Sequence, residues 1–314
     1  MQEPQVHHRS LAGGVVLTTV TGTPGGPTLA LLGGVHGDED EGVLAVRLVL
    51  RELRELRGLP LRGTVRAVAV ANPPAWSAQS RTSPLDGANL ARSFPGSPHD
   101  GPTAAIATAI ADDVIRGSDA LIDLHSAGLR YRMPLMAGYC ADTPAGAASE
   151  RLALAFGAPV LWRHPRSAPG RSLSVAAEAG IPAVYAECSG GGSIRALELD
   201  TYVAGVLGVL RQLEMLPPAD RTPPAPRYVY GNGDLDTGAA ARGHGFFVSS
   251  VRAGDVVAAG DEIGRFYDHD GELVHIVDAP DTGMVMFLRR QARTATDDVL
   301  FVLAHLDDRE ETGA

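Results

Sequence analysis

Apolar and polar positions follow two different rhythms along this chain. Up to about residue 216, short unbroken apolar runs alternate with stretches of helical spacing. Thr28 to Val35 is one such run, bounded by glycines, and it reads as a buried strand. Residues 41–57 carry Val46, Val49, Leu50, Leu53 and Leu56 on one face and Arg47, Arg51, Glu52, Arg54 and Glu55 on the other, the pattern of an amphipathic helix. Gly58 and Pro60 supply its stop signal. Thr64 to Ala71 alternates as a strand and ends at Asn72-Pro73-Pro74. The same reasoning predicts helices over 103–116, 144–156, 172–179 and 195–216, and strands over 119–125 and from Ile181 to Glu187. Strands alternating with helices imply an α/β layered fold with a mostly parallel sheet flanked by helices.

Two segments break this rhythm. Between the strand at 64–71 and the helix at 103 lie about thirty residues without regular pattern, rich in Pro, Gly, Ser, Asn and Arg. A loop of that length inside a compact domain is unusual and is often functional. Residues 217–227, with five prolines between 217 and 226, read as a stiff linker. Beyond it, short β-type runs are punctuated by Gly and Asp: Phe246-Phe247-Val248, Val256-Val257, Ile263 to Phe266, Val274 to Val277 and Gly283 to Phe287. The expected organisation is a catalytic domain over 1–216, a linker over 217–227, a small all-β domain over 228–306 and a frayed tail over 307–314.

Composition narrows the function. The chain has 314 residues, ample for a large core. No apolar stretch approaches the roughly 18 residues of a membrane span, and residues 1–8 lack the basic and apolar regions of a signal peptide. Two cysteines, Cys140 and Cys188, make no disulfide framework and fit a reducing cytoplasm. A net charge of -10 argues against general nucleic-acid binding. All 27 basic residues are arginine; the absence of lysine excludes a Schiff-base lysine, a phosphate-loop lysine, and biotin or lipoyl attachment.

The candidate chemistry sits where apolar runs end. His36-Gly37-Asp38-Glu39 follows the run at 28–35, and Ala120 to Leu124 delivers His125. In open α/β sheets, ligands bind beyond the carboxyl ends of strands. His36 and Glu39 lie about one helical turn apart and can turn toward one point. Two imidazoles and a carboxylate are the ligand set of many catalytic zinc sites, which leave the fourth position open for water. Asp123 is a candidate acceptor for the second nitrogen of a ligand histidine, or else a strand-end carboxylate facing solvent. Asp38, Asp40 and Glu41 read as solvated or helix-start carboxylates. Glu187 ends an apolar run and precedes Cys188-Ser189-Gly190-Gly191-Gly192, a setting that suits a general base approached closely by substrate. On the long loop, Arg81 and Arg92 are available to hold a developing oxyanion and to clamp a substrate carboxylate.

Together these residues resemble the succinylglutamate desuccinylase/aspartoacylase family, relatives of the zinc carboxypeptidases. The matching segments run in family order: Gly34 to Glu39, Asn72-Pro73, Arg81, Asp86 to Gly96, Asp123-Leu124-His125, and Glu187 to Gly191. The resemblance implies one zinc ion held by His36, Glu39 and His125, Glu187 as general base and acid, Arg81 on the carbonyl oxygen, and Arg92 in substrate binding. It also implies a zinc-carboxypeptidase-like mixed sheet flanked by helices. Val251 to Gly264 and Ala279 to Val285 look like the barrel-sandwich pattern of biotinyl and lipoyl domains, which the family carries as a β-domain; here it has no lysine to act as a carrier. One position departs from the family: the residue before Arg92, commonly Asn, is Ala91. Asn89 cannot simply take its place in an extended chain, although side chains at that spacing share a face, and it is kept with Arg92 as a substrate-binding candidate. Arg130, Arg132 and Arg171 are further candidates for a substrate carboxylate.

The expected function is a zinc-dependent amide hydrolase that removes an acyl group from an N-acyl amino acid or similar small amide. Its partner would be that small molecule, with no nucleic acid and no membrane, and a homo-oligomer is compatible with it. Two alternatives stand beside it: a zinc carboxypeptidase acting on short peptides, and a non-catalytic metal- or ligand-binding protein on the same fold.

Overall fold

The structure, a computed structural model, describes residues 4–55, 60–219, 225–231 and 235–307. Leu56 and Gly58, residues 220–224 of the linker, and 308–314 of the expected tail lie outside the described residues.

One mixed sheet organises the chain. Its first ten strands are β1 (Gln5–Ser10), β2 (Val16–Thr21), β3 (Thr23–Gly33), β4 (Arg62–Val68), β5 (Ala120–Leu124), β6 (Tyr131–Arg132), β7 (Met136–Cys140), β8 (Val160–His164), β9 (Ala183–Glu187) and β10 (Arg227–Tyr230). Across the sheet the order runs β1-β2-β4-β3-β5-β9-β7-β8-β10. The four central strands β4, β3, β5 and β9 are mutually parallel. Antiparallel pairing enters at β2–β4 and at β9–β7. The sheet is therefore mixed, with a parallel centre.

Among the described residues six α-helices flank it: α1 (Asp40–Glu55), α2 (Pro73–Ser77), α3 (Pro102–Ile110), α4 (Gly146–Phe156), α5 (Ser172–Glu178) and α6 (Ala196–Gln212). Strand β3 shows why its sequence is continuously apolar. Leu29 and Leu31 pack into the core shared with α1, α4 and α6, while Ala30 and Leu32 pack into the opposite core with α3 and α5. A parallel strand buried on both faces has no solvent side to be polar. The predicted face of α1 is the buried one: Val46, Val49 and Leu53 are fully enclosed.

The C-terminal strands are β11 (Ala239–Ala240), β12 (Gly245–Ser249), β13 (Val256–Val257), β14 (Glu262–Tyr267), β15 (Leu273–Asp278), β16 (Gly283–Arg289), β17 (Arg293–Thr294) and β18 (Val299–Leu306). Strands β15-β14-β12-β17 form a separate antiparallel sheet. The others extend the main sheet: β10 pairs with β8 on one side and with β18 on the other, and β18 leads on to β16 and β13. The β-type runs expected from 246 to 287 all fall in strands. Sequence pattern missed β1, β2, β6, β7, β8, β10, β11, β17 and β18. The first is polar and largely exposed, and β7 and β8 are five-residue buried runs that periodicity alone does not distinguish from helix.

Candidate active site

The parallel centre places the chemistry. Strands β3, β5 and β9 lie side by side with their carboxyl ends level, Gly33 opposite Leu124 and Leu124 opposite Ala186. Gly34 turns the chain out of β3 with φ +61°, a conformation that a side chain disfavours. His36 and Glu39 occupy the resulting turn before α1, His125 follows β5, and Glu187 ends β9.

His36, Glu39 and His125 converge, each bringing one donor atom within 4.8 Å of the others. All three are buried. His36 Nδ1 lies 2.7 Å from Glu39 Oε1, and His125 Nδ1 lies 2.9 Å from Oε2. The outer nitrogens settle the tautomers, as assigned from the hydrogen-bond network. His36 Nε2 is 3.2 Å from Asn89 Oδ1, which also accepts the Ala91 N–H, so this oxygen is an acceptor and the imidazole donates. His125 Nε2 is 3.2 Å from Asp123 Oδ2, again an acceptor, which the Ser172 hydroxyl also approaches closely. With Nε2–H directed outward on both rings, both Nδ1 lone pairs face the two oxygens of a single carboxylate. Such an arrangement needs positive charge at its centre, as a proton or a metal cation. Electrostatics agree. Burial pushes His36 down to about 4. Burial also opposes charge on His125, but Asp123 and Glu39 outweigh it and hold that ring well above its usual value. Burial would raise Glu39, yet the two histidines hold it well below the carboxylate range. Metal-free, His125 thus holds a proton at this point; a divalent metal that displaced it would meet two imidazole nitrogens and an ionised carboxylate.

Glu187 stands beside this point. Its Oε2 is buried without a hydrogen-bond partner. Burial, then the charge of Glu39, raises its carboxyl well above the usual range, against the pull of His125 and Arg81. The arginines divide. Arg81 donates to Glu39 Oε1 at 3.0 Å. Arg92 and Arg171 both approach Asp236 Oδ2, at 3.5 and 3.9 Å. All three line a cavity of about 570 Å³ with His36, His125 and Glu187. Arg132 is elsewhere: it lines a second cavity with Arg195, Arg252, Arg289 and Arg290. Arg130 is exposed and lines neither cavity.

Several expectations change. Asn89 does not line the cavity; its carbonyl is spent on His36 and on the turn at 90–92. Glu41 is not a solvated helix-start carboxylate. It is 3% exposed and accepts the Ser126 hydroxyl at 2.8 Å, because α1 lies directly under the turn after His125. Asp123 faces His125 rather than solvent. Cys140 and Cys188 are free and buried. Unforeseen lining residues are His164, Tyr185, Phe287 and the segment Leu235-Asp236-Thr237. His164 ends β8, a strand missed in the sequence, whereas Tyr185 lies inside the expected strand β9, two residues before Glu187.

Comparison with known proteins agrees with this picture. Residues 25–213 match the Succinylglutamate desuccinylase/Aspartoacylase catalytic domain. The chain is 31% identical over 312 residues to the N-alpha-acetyl-L-2,4-diaminobutyric acid deacetylase of Halomonas elongata, covering 96% of this chain and 90% of that protein. Among solved structures it resembles the product-bound ectoine utilization protein EutE (DoeB) from Ruegeria pomeroyi, with 26% identity, a TM-score of 0.84, and 97% and 96% of the two chains covered. It also resembles a succinylglutamate desuccinylase/aspartoacylase from Rhodobacter sphaeroides, with 25% identity, a TM-score of 0.85, and 98% and 97% covered. Fold, site and relatives define a hydrolase of amide bonds. The chain belongs to the succinylglutamate desuccinylase/aspartoacylase family.

Proposed function

We propose that this protein is a zinc-dependent deacylase that removes an acetyl or similar acyl group from an N-acylated amino acid. The observation that carries the reading is the convergence of two imidazole nitrogens and one carboxylate on a point beside Glu187, whose Oε2 has no hydrogen-bond partner. His36, Glu39 and His125 would hold one zinc ion per chain. Zinc, when bound, supplies a Lewis acid and eases the ionisation of water at this point.

The protein's own groups do the rest. Glu187 takes the proton from the attacking water and returns it to the leaving amine. Arg81 meets the charge that develops on the carbonyl oxygen. Arg92 and Arg171, both beside Asp236, are placed to receive a substrate carboxylate in its stead. This offers an answer to Ala91: a second arginine, from the segment before α5, replaces the missing amide. The similar Halomonas protein is named for an N-acetylated diamino acid, and we extend that acetyl preference and substrate class to this chain. In this reading 1–216 is the catalytic unit, 217–227 the connector and 228–306 a barrel-sandwich-like β-unit that walls the cavity through Leu235 to Thr237 and Phe287. The thiols fit a cytoplasmic enzyme.

The test is Glu187→Ala. Metal content by elemental analysis should remain, while turnover of an N-acetyl amino acid panel falls about 10²–10⁴-fold. Near-normal turnover would remove Glu187 from the base role.

A further inference from the structure

The second cavity, of about 390 Å³, shares no lining residue with the catalytic one. Arg132, Arg195, Arg252, Arg289 and Arg290 line it, and among the described residues no carboxylate does. The catalytic cavity, by contrast, sets its arginines against Asp123, Glu187 and Asp236. In a chain of net charge -10, five guanidiniums around one hollow are a local reversal of charge.

The fold brings them from four segments. Strands β6 and β16 pair antiparallel, with Arg132 opposite Leu288 and Tyr131 opposite Arg289. The Arg290 N–H continues that pairing to the Arg130 carbonyl at 2.8 Å. Arg252 lies in the turn between β12 and β13, and Arg195 opens α6. Arg290 ties the wall to the catalytic loops. Its Nη1 donates to the Leu129 carbonyl at 3.2 Å, in the loop after His125, and its side chain lies over Gly191, in the loop after Glu187, where an added Cβ would sit 3.2 Å from Nε.

Much of this guanidinium capacity is unspent. Arg289 is 7% exposed; its Nε and Nη2 hold the Gln291 and Arg293 carbonyls and the Asp298 carboxylate, and its Nη1 has no hydrogen-bond partner. Arg195 reaches Glu198 at 3.4 Å. Asp255 accepts the backbone N–H of Arg252, not its side chain. The guanidiniums of Arg132 and Arg252 make neither a hydrogen bond nor an ion pair among the described residues. Helix α6 adds to the field. Arg195 is the N-cap of its 17 residues and no side chain caps it, so free N–H groups and the positive end of the dipole stand beside the cavity.

Like charges gathered without a counter-charge repel, and each planar guanidinium fork matches a pair of carboxylate or phosphate oxygens. We propose that this cavity is a second binding site, for a compact polyanion carrying two or more carboxylate or phosphate groups. Its volume falls within the range of about 300–1,000 Å³ usual for small-molecule sites. The overall negative charge of the chain disfavours a long polyanion such as nucleic acid. Binding here is independent of the deacylase reading: a protein without turnover would take up the same ligand.

Calorimetry on the metal-loaded protein, at constant ionic strength and with metal content checked, compares tricarballylate and propanediol bisphosphate with acetate and methyl phosphate. At least one polyanion should bind about tenfold or more tightly than the single-group anion of its own kind, and the kind that binds identifies the group. Equal affinity of polyanions and single-group anions overturns the proposal, as does no binding of either polyanion at millimolar concentration. Arg132→Gln combined with Arg252→Gln should weaken the polyanion about 10–100-fold, whereas Arg171→Ala, in the catalytic cavity, should leave it within about twofold. The reverse pattern overturns the proposal, because the anion would then sit on the catalytic arginines. Should the double variant fail to fold, Ser249→Glu gives the same reading. It adds a carboxylate at an exposed lining position and should weaken binding about tenfold or more, while Ser249→Gln, of the same size and neutral, should retain it.

Discussion

The ends of the parallel strands and the long loop above them contribute to the same cavity, yet they are built by different means. At the strand ends, His36, Glu39, His125 and Asp123 are buried and their hydrogen bonds interlock. Each side chain there is fixed by a strand whose position both cores enforce. On the loop, Arg81 and Arg92 are about a third exposed, and Arg92 leans on Asp236, itself 68% exposed. Rigidity sits where a metal would be held, and adjustability sits where a substrate would be recognised. Errors of placement at the first cost chemistry, whereas at the second they cost affinity.

Breaking the strand-end region should have the largest effect. His125→Ala removes one of three converging donors and should take bound zinc from about one per chain toward none, with turnover falling to background; retained zinc at full occupancy would place the site elsewhere. Next is Asp123→Asn. It keeps the shape but weakens the hold on His125 Nε2, and metal affinity should fall about 10–100-fold by competition with a chelator. On the loop side, Arg171→Ala should raise KM for a carboxylate-bearing substrate roughly tenfold with little change in kcat. Asp236→Ala should move KM the other way, by at most a few-fold, because it removes a carboxylate that competes with the substrate for both arginines; a rise in KM would show that Asp236 helps to hold the substrate. Smallest is the effect of alkylation at Cys140. Burial pushes this thiol up to about 11. The reactive thiolate is the deprotonated form, so its fraction at pH 7.5 is of the order of 10⁻³–10⁻⁴ and grows as pH rises toward that value. Iodoacetamide should leave activity nearly intact at pH 7.5 and label Cys140 progressively faster above pH 9.

How far the sequence could be read follows the same division. The buried strands β3, β5 and β9 announce themselves as unbroken apolar runs, and chemistry at their ends is placed by the geometry of open α/β sheets. His36, His125 and Glu187 could therefore be located from pattern. Asn89 could not, because its role depends on a turn that brings Oδ1 onto His36, fifty-three positions away. Glu41 was misread since charge near a helix start is usually solvated, and only the packing of α1 against the turn after His125 buries it. Tyr185 and His164 were passed over for a related reason: their meeting, hydroxyl against Nε2 at 2.7 Å, requires β9, β7 and β8 in that order, an arrangement that no local pattern encodes. The paired duty of Arg92 and Arg171 likewise appears only once the two loops are folded together.

The seating of β10 between β8 and β18 has an engineering consequence. A chain cut at residue 216 would not yield a smaller working enzyme. It would leave β8 as a bare edge, with the backbone of Leu161 and Arg163 unpaired and open to recruit strands from other molecules. The C-terminal region is spliced into the sheet rather than appended to it. Gene fusions, truncations and swaps with other β-domains should therefore be planned around the whole chain as the unit of folding.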